Sequence, residues 1–145
     1  MKCTHFVLCE DVERDPSTRQ VLRAITPNPT LRTRRGHGTL KRARTWARLI
    51  GDSSKFTELF LTLGGPIPPD PVTGDTSIRD FDSGGPKIPS VKLSQHSTVR
   101  EEPAEPFDFV ANIAPIFFPS FGRYVILLWA DDTCIAETSV VVEPR

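Results

Sequence analysis

The chain has 145 residues, of which 38% are hydrophobic and 25% charged, and its formal net charge is zero. This length fits one domain with a hydrophobic core and is too short for two domains of ordinary size. No apolar run approaches the roughly 20 residues that a membrane-spanning helix requires. The fourteen prolines argue against long helices and favour strands separated by loops.

The N-terminal part of the chain is predicted to form two strands. The apolar run that opens residues 6–12 predicts the first strand, residues 14–19 a turn, and residues 20–26 the second strand. Pro27 and Pro29 end the second strand, because a proline cannot donate a hydrogen bond to a neighbouring strand.

The same region bears on the compartment. The apolar run before Glu10 is much shorter than the hydrophobic part of a secretory signal. The three cysteines, Cys3, Cys9 and Cys134, are therefore expected to stay reduced, and the protein is predicted to be cytoplasmic.

The middle of the chain is predicted to contain a hairpin. Residues 30–44 are rich in basic residues and contain no acidic one, and their pattern is compatible with an extended segment or a short helical piece. Residues 45–50 predict a strand, 51–54 a turn, and 55–63 a second strand that pairs with the first. Trp46 is expected in the core because of its place in the first strand. Alternation in the second strand predicts a core-facing set: Thr57, Leu59, Leu61 and Leu63.

Glycine, proline and aspartate are concentrated in residues 64–90. This composition, without a clear periodicity, predicts a long loop inserted into the domain. A weak strand pattern returns at residues 91–99, and residues 107–113 predict a further strand.

The strongest pattern lies at the C-terminal end. Residues 124–130 are an unbroken run of aromatic, aliphatic and β-branched side chains, Asp131-Asp132-Thr133 is typical of a turn, and residues 134–142 alternate. The pattern predicts a hairpin. Its first strand, apolar on both faces, is expected at the centre of a sheet, and its second strand nearer an edge.

Seven to eight short strands separated by turns favour an all-β fold, an antiparallel β-sandwich formed by a single domain over residues 1–145. Both ends also carry the motifs of a known family, Phe6-Val-Leu-Cys-Glu-Asp-Val12 and Phe121-Gly-Arg-Tyr-Val with Ile135-Ala-Glu. In these motifs the chain resembles a group of short, uncharacterised bacterial proteins. The resemblance implies an immunoglobulin-like or C2-like β-sandwich, and it carries over no activity.

Charge is distributed unevenly along the chain. Residues 14–48 carry a net charge of +9, residues 49–145 carry −7, and residues 1–13 carry −2. The basic part is able to track phosphate groups, with Trp46 as a stacking surface. The other interpretation is that its arginines pair with the acidic half or are solvated. The candidate site for nucleic acid or an acidic partner comprises Arg32, Arg34, Arg35, Lys41, Arg42 and Arg44.

The sequence offers two alternative metal sites, and a simpler interpretation is favoured for each. Cys3, His5 and Cys9 share parity on a strand and could supply three ligands, but buried small side chains explain the cysteines better. Carboxylates in loops are able to hold calcium, although aspartate is common in turns for local reasons. The aspartates concerned are Asp70, Asp75, Asp80, Asp82, Asp131 and Asp132. Neither a metal nor another cofactor is predicted.

No catalytic residue is predicted, because the chain has neither a Gly-x-Ser-x-Gly motif nor a phosphate-binding loop. The expected function is a non-enzymatic binding or assembly module that recognises a partner protein, or a second copy of itself, through the loops at 27–44 and 64–90. The alternative is an electrostatic binder of nucleic acid or an acidic partner through the basic segment 30–48.

Overall fold

The computed structural model describes residues 1–51, 56–67, 90–100 and 106–145. This part of the chain contains twelve β-strands and no helix, so the predicted all-β class is confirmed. The strands are β1 (Lys2–Cys9), β2 (Asp11–Arg14), β3 (Val21–Ile25), β4 (Thr30–Thr33), β5 (Gly38–Leu40), β6 (Arg44–Ile50), β7 (Phe56–Gly64), β8 (Ser90–Arg100), β9 (Phe107–Asn112), β10 (Ile116–Phe118), β11 (Gly122–Ala130) and β12 (Thr133–Pro144).

The longer strands form two sheets. One sheet has three strands in the order β1-β6-β9, and the other has five in the order β4-β12-β11-β7-β8. All neighbours in these sheets are antiparallel except β4, which runs parallel to β12. The two remaining pairs, β2-β3 and β5-β10, are short two-stranded ribbons.

Side chains from the two sheets meet in one hydrophobic core. The three-stranded sheet contributes Leu8, Ala47, Leu49, Phe109 and Ala111. The five-stranded sheet contributes Leu59, Leu61, Leu63, Tyr124, Ile126, Leu128, Val140 and Val142. The inward-facing positions alternate along each strand, as the period of a half-buried strand requires. The core-facing prediction for β7 is therefore confirmed at its three leucines.

The C-terminal hairpin is confirmed. β11 lies between β12 and β7, and its residues from Tyr124 to Leu128 are all buried. Val125 and Leu127 point away from the main core and form a second, smaller cluster with Ile67. β12 is second from the edge of its sheet, next to β4. Burial on both faces explains why β11 carries no charged side chain from Tyr124 to Ala130.

The start of β11 packs closely against the segment that follows β7. The N–H of Ile67 donates to the carbonyl oxygen of Arg123 over 2.8 Å. Gly122 has φ +137°, and a Cβ at this position would lie 2.8 Å from the Cβ of Pro66. Only glycine combines that backbone conformation with so close a neighbour.

The hairpin predicted for residues 45–63 is wrong. β6 pairs with β1 and β9, whereas β7 pairs with β11 and β8, so the two strands belong to different sheets. Both strands have one apolar face, and that pattern is the same for partners within a sheet and for strands that face each other across a core. The undecided region 30–44 contains two short strands, β4 and β5.

The predicted loop at 64–90 lies mostly outside the described residues. The structure describes its two ends, where β7 ends at Gly64 and β8 begins at Ser90, and the short segment up to Ile67. The loop aspartates at positions 70, 75, 80 and 82 are also outside the described residues.

Candidate functional site

The six predicted site residues form two groups. Arg32 lies on β4, and Arg34 and Arg35 lie in the bend between β4 and β5. The second group follows β5: Lys41 and Arg42 precede β6, and Arg44 is its first residue. The basic segment is therefore continuous in sequence, but the β5 strand separates its two groups in the fold.

Ion pairing divides the same residues differently. Arg32 Nε lies 3.0 Å from Glu143 Oε1, and Arg44 Nε lies 3.5 Å from Asp11 Oδ1. For these two arginines, the interpretation that basic residues pair with acidic ones elsewhere in the chain is therefore supported. The other four are exposed and make no ion pair with any residue in the described ranges: Arg34, Arg35, Lys41 and Arg42.

The bend that carries Arg34 and Arg35 has a defined shape. The hydroxyl of Thr33 donates to the carbonyl oxygen of His37 over 2.8 Å and accepts from the N–H of Arg35 over 3.3 Å. Gly36 has φ +75°, a left-handed conformation that glycine adopts without strain. The two arginines are therefore presented on a braced bend.

Exposed aromatic side chains surround this bend. Phe117, on β10, is 59% exposed and contacts the ring of His37 at a centroid distance of 5.9 Å. Phe121 is 39% exposed, and its ring lies beside Gly36. We call Arg34, Arg35, His37, Phe117 and Phe121 the arginine–phenylalanine surface. The surface therefore combines two exposed cations with two exposed rings around one bend.

The second basic group lines a cleft of about 550 Å³. Lys41, Arg42 and Arg44 lie on its wall together with two carboxylates, Glu10 and Asp11. We call it the lysine cleft. Because acidic and basic side chains are mixed there, and Arg44 already pairs with Asp11, its charge is less one-sided than that of the arginine–phenylalanine surface.

The β5-β10 ribbon connects the two sites. Leu40 pairs with Ile116 at the end nearer the lysine cleft, and Gly38 pairs with Phe118 at the other end. Three residues of strand span roughly 7–10 Å. Phe117 is on the exposed side of this ribbon, so basic and aromatic groups follow one another along it.

Trp46 is not in the core, and the prediction for it is wrong. It is half-buried on the outer face of the three-stranded sheet, whereas its neighbours Thr45 and Ala47 point inward. Its ring stacks on His5 at a centroid distance of 6.0 Å, and the guanidinium carbon of Arg48 lies 5.2 Å from the ring centre. The basic residues at positions 44 and 48 share its parity, and that pattern marks the outer face.

Asp108 on β9 is a hydrogen-bonding centre on the same face. Its side chain is 6% exposed, and it accepts from the N–H of Val21, Trp46 Nε1 and Arg48 Nε at 2.7, 2.9 and 3.0 Å. Burial alone would raise the pKa of this carboxyl. The hydrogen bonds from Val21, Trp46 and Arg48, and the charge of Arg48, outweigh burial and hold the pKa below its usual value.

The cysteine–histidine metal alternative does not form. A register shift between Cys3 and His5 moves Cys3 to the core side, while His5 stays on the outer face. Cys9 is buried, and burial is the main cause that raises its pKa. Asp131 is one of the aspartates considered for calcium. Its Oδ1 accepts a hydrogen bond from the N–H of Glu58 over 3.0 Å, which is a structural contact of the turn. Within the described ranges no group of three or more metal-ligating side chains is found.

Comparisons with known proteins give no family. No protein-family model matches the chain, and a search of curated proteins finds no match. Among the residues that the structure describes, no helix is long and apolar enough to cross a lipid bilayer.

Sequence reasoning missed the aromatic half of the site. No site role is predicted for Phe117 from the sequence, and Phe121 enters only through a motif of the resemblance. Prolines at positions 115 and 119 bracket Ile-Phe-Phe, and the alternation of this short strand buries Ile116 and Phe118 and exposes Phe117. Asp108 was missed because its partners lie 60 and 87 residues away in sequence.

Proposed function

We propose that the protein is a non-enzymatic binding module that recognises an acidic segment of a partner protein through the arginine–phenylalanine surface. The observation that carries the proposal is the combination of Phe117, 59% exposed, with the two unpaired arginines of the braced bend. Aromatic and arginine side chains dominate the binding energy of protein interfaces. A rigid bend lowers the entropy lost on binding.

The proposed scaffold is an immunoglobulin-like β-sandwich. In this assignment β1, β6 and β9 correspond to strands A, B and E, and β12, β11, β7 and β8 to G, F, C and C′. The hydroxyl of Tyr124, near the start of β11, donates to the carbonyl oxygen of Ser120 over 2.9 Å. That contact has the form of the tyrosine corner of such domains. Both features favour the immunoglobulin-like over the C2-like alternative.

The proposed partner chemistry follows from charge. Arg34 and Arg35 are exposed, and the other two exposed cations of the segment that lack an ion pair within the described ranges, Lys41 and Arg42, lie at the far end of the β5-β10 ribbon. An acidic, extended segment that also carries an aromatic or aliphatic side chain would satisfy the cations and cover Phe117. Complementary charge of this kind raises association rates and selects among partners.

The test is selection from a displayed random peptide library. Acidic peptides are expected to be enriched by the wild-type protein, and the double variant Arg34→Glu, Arg35→Glu is expected to lose them. The matched control, Lys2→Glu with Arg23→Glu, makes the same change in net charge outside the surface and is expected to keep them. Enrichment that the first variant retains would show that the surface is not the binding site.

Nucleic acid is the second candidate, favoured by the exposed phenylalanines beside arginines. Bases of a single strand stack on aromatic rings while cations contact the phosphates. In this case a labelled single-stranded oligonucleotide would bind in a fluorescence anisotropy titration, with an affinity that falls steeply as salt rises. Phe117→Ala would then weaken oligonucleotide binding, and the wild-type protein would enrich no acidic peptide. Self-association, the remaining alternative, would be detected by light scattering.

The proposed compartment is a bacterial cytoplasm, as the resemblance implies. All three cysteines carry free thiols, which suits a reducing compartment. For each of them, burial is the main cause that raises the pKa of the thiol. Such thiols react slowly, because the thiolate is the reactive form.

A further inference from the structure

A third basic site lies at the turn between β2 and β3, and it also includes Arg48, the last residue of the basic segment 30–48. This turn is extensively hydrogen-bonded. The N–H of Asp15 donates to Gln20 O over 2.8 Å, and the N–H of Arg19 donates to Asp15 O over 2.9 Å. Asp15 Oδ1 accepts from the N–H and hydroxyl of Ser17 and from the N–H of Thr18. The turn therefore has a fixed shape although it is exposed.

The turn fixes the side chain of Arg14 and the backbone of Arg19. Arg14 Nη1 donates to the carbonyl oxygen of Arg19 over 2.9 Å, and Arg19 itself has φ +66°. A left-handed arginine is uncommon, and such conformations persist where the surrounding contacts impose them. The guanidinium of Arg14 retains donors that this bond does not use.

Arg48 is positioned more firmly still. Its Nε donates to Asp108 Oδ1 over 3.0 Å, its Nη2 donates to Val21 O over 2.9 Å, and its guanidinium lies over Trp46. The side chain is 30% exposed, so part of the guanidinium reaches solvent. An arginine fixed in this way loses little rotational freedom when it binds an anion.

These three arginines line one cleft of about 370 Å³. The described residues on its wall are Arg14, Thr18, Arg19, Gln20, Arg48, Pro106, Phe107 and Asp108. Asp108 is the one carboxylate among them, and it is already engaged by three donors. Over the part of the wall that the structure describes, the charged groups therefore sum to +2. We call it the three-arginine cleft.

We propose that the three-arginine cleft binds a phosphate group, either free or carried on a larger molecule. Arginine donors are arranged as planar forks that match phosphate oxygens. A phosphate monoester carries a charge of about −1.5 to −2 at neutral pH, which balances the wall, whereas a carboxylate carries half of that. The cleft lies within the size range of small-molecule sites, about 300–1,000 Å³. This site is separate from the arginine–phenylalanine surface and does not depend on the proposed function.

The test is an NMR titration of the ¹⁵N-labelled protein with sodium phosphate at constant ionic strength. The Nε–H signal of Arg48 and the indole N–H signal of Trp46 report on the cleft, and the indole signal of Trp129, on the other sheet, is the internal control. Saturable shifts of the first two signals, with the third unmoved, are expected. Shifts that stay linear or that include Trp129 equally would overturn the proposal.

Variants test the assignment of residues. Arg14→Gln and Arg19→Gln, on an exposed turn, are each expected to weaken phosphate binding about tenfold. Arg23→Gln removes an exposed arginine of the same ribbon, outside the cleft, and is expected to change the affinity less than about twofold. If Arg23→Gln weakens binding as much as Arg19→Gln, phosphate is responding to general positive charge and the site is wrong.

Two further ligands define the chemistry. Sodium acetate is expected to bind at least about tenfold more weakly than phosphate because it carries a single charge. Equal affinity for acetate would contradict a phosphate site. Tighter binding of O-phosphoserine than of inorganic phosphate would support the proposal and identify the group as one carried on a larger molecule. Tighter binding of inorganic phosphate would support the free ion.

Discussion

The two hairpins β2-β3 and β11-β12 are joined to the rest of the molecule by different interactions. β11 is buried on both faces, and its apolar side chains contact two hydrophobic clusters. In β3 Val21 is 3% exposed, whereas Leu22 and Ile25 are 57% and 39% exposed. Val21 is held through its backbone, whose N–H donates to Asp108 and whose carbonyl accepts from Arg48.

The two kinds of contact therefore have different roles: one stabilises the scaffold, and the other sets the position of the β2-β3 ribbon. Apolar burial stabilises the scaffold and involves no charged side chain, whereas polar contacts with Asp108 and Arg48 orient the ribbon that carries Arg14 and Arg19. A ribbon attached in this way responds to changes in charge that leave the scaffold intact. The predictions below test each attachment separately.

The largest loss is expected from the scaffold hairpin. Leu128→Ala removes a side chain that is 0% exposed and should lower the free energy of unfolding by about 3–4 kcal/mol, as burial is lost and a cavity remains. The matched change Leu22→Ala, in the exposed ribbon, should cost less than about 0.5 kcal/mol. Urea denaturation measures both, and similar losses would mean that the two leucines are equally buried.

A slightly smaller loss, about 3 kcal/mol, is expected for Asp108→Asn, because Arg48 and two N–H donors would lose a charged partner. The control is Asp11→Asn, which weakens an exposed pair with Arg44 and should cost less than about 1 kcal/mol. Hydrogen exchange should show faster exchange at the Val21 amide in the first variant. An unchanged Val21 amide would show that the ribbon does not depend on Asp108.

The smallest effect concerns Asp15 in the turn. Hydrogen bonds from the N–H of Thr18, then from the hydroxyl and N–H of Ser17, lower the pKa of this carboxyl from 3.8 to about 2. Because the folded pKa is the lower one, its stabilising contribution is present above pH ~3.8 and is lost as the pH falls towards 2. Asp15→Asn should therefore be less stable than wild type at pH 7, with the difference vanishing near pH 2. A pH-independent difference in the free energy of unfolding would contradict this sign.

The part of the fold that sequence reasoning predicted is local. The β11-β12 hairpin was predicted because its two strands are adjacent and its turn, at Asp131 and Asp132, carries its own signal. The partners of β6 could not be predicted, because its pairing with β1 and β9 joins segments about 40 and 60 residues apart. No short-range pattern distinguishes a partner in the same sheet from a strand on the facing sheet.

The site residues also divide into those that local sequence predicts and those that depend on contacts between distant strands. Arg34 and Arg35 could be predicted from charge alone, since a basic run in a loop is usually exposed. The three-arginine cleft could not, because Arg48 and Asp108 become neighbours only when β6 pairs with β9. Which arginines are neutralised, such as Arg32 by Glu143, likewise depends on contacts between distant parts of the chain.

The parallel pairing of β4 with β12 has a consequence for synthesis. Arg32 and Glu143 are paired although 111 residues separate them. At a translation rate of about 5–20 residues per second, β4 leaves the ribosome roughly 5–20 s before its partner. During that interval one edge of the nascent domain has no strand to pair with. The basic residues on and after β4 would protect this unpaired edge from pairing with other chains, as charged side chains on edge strands generally do.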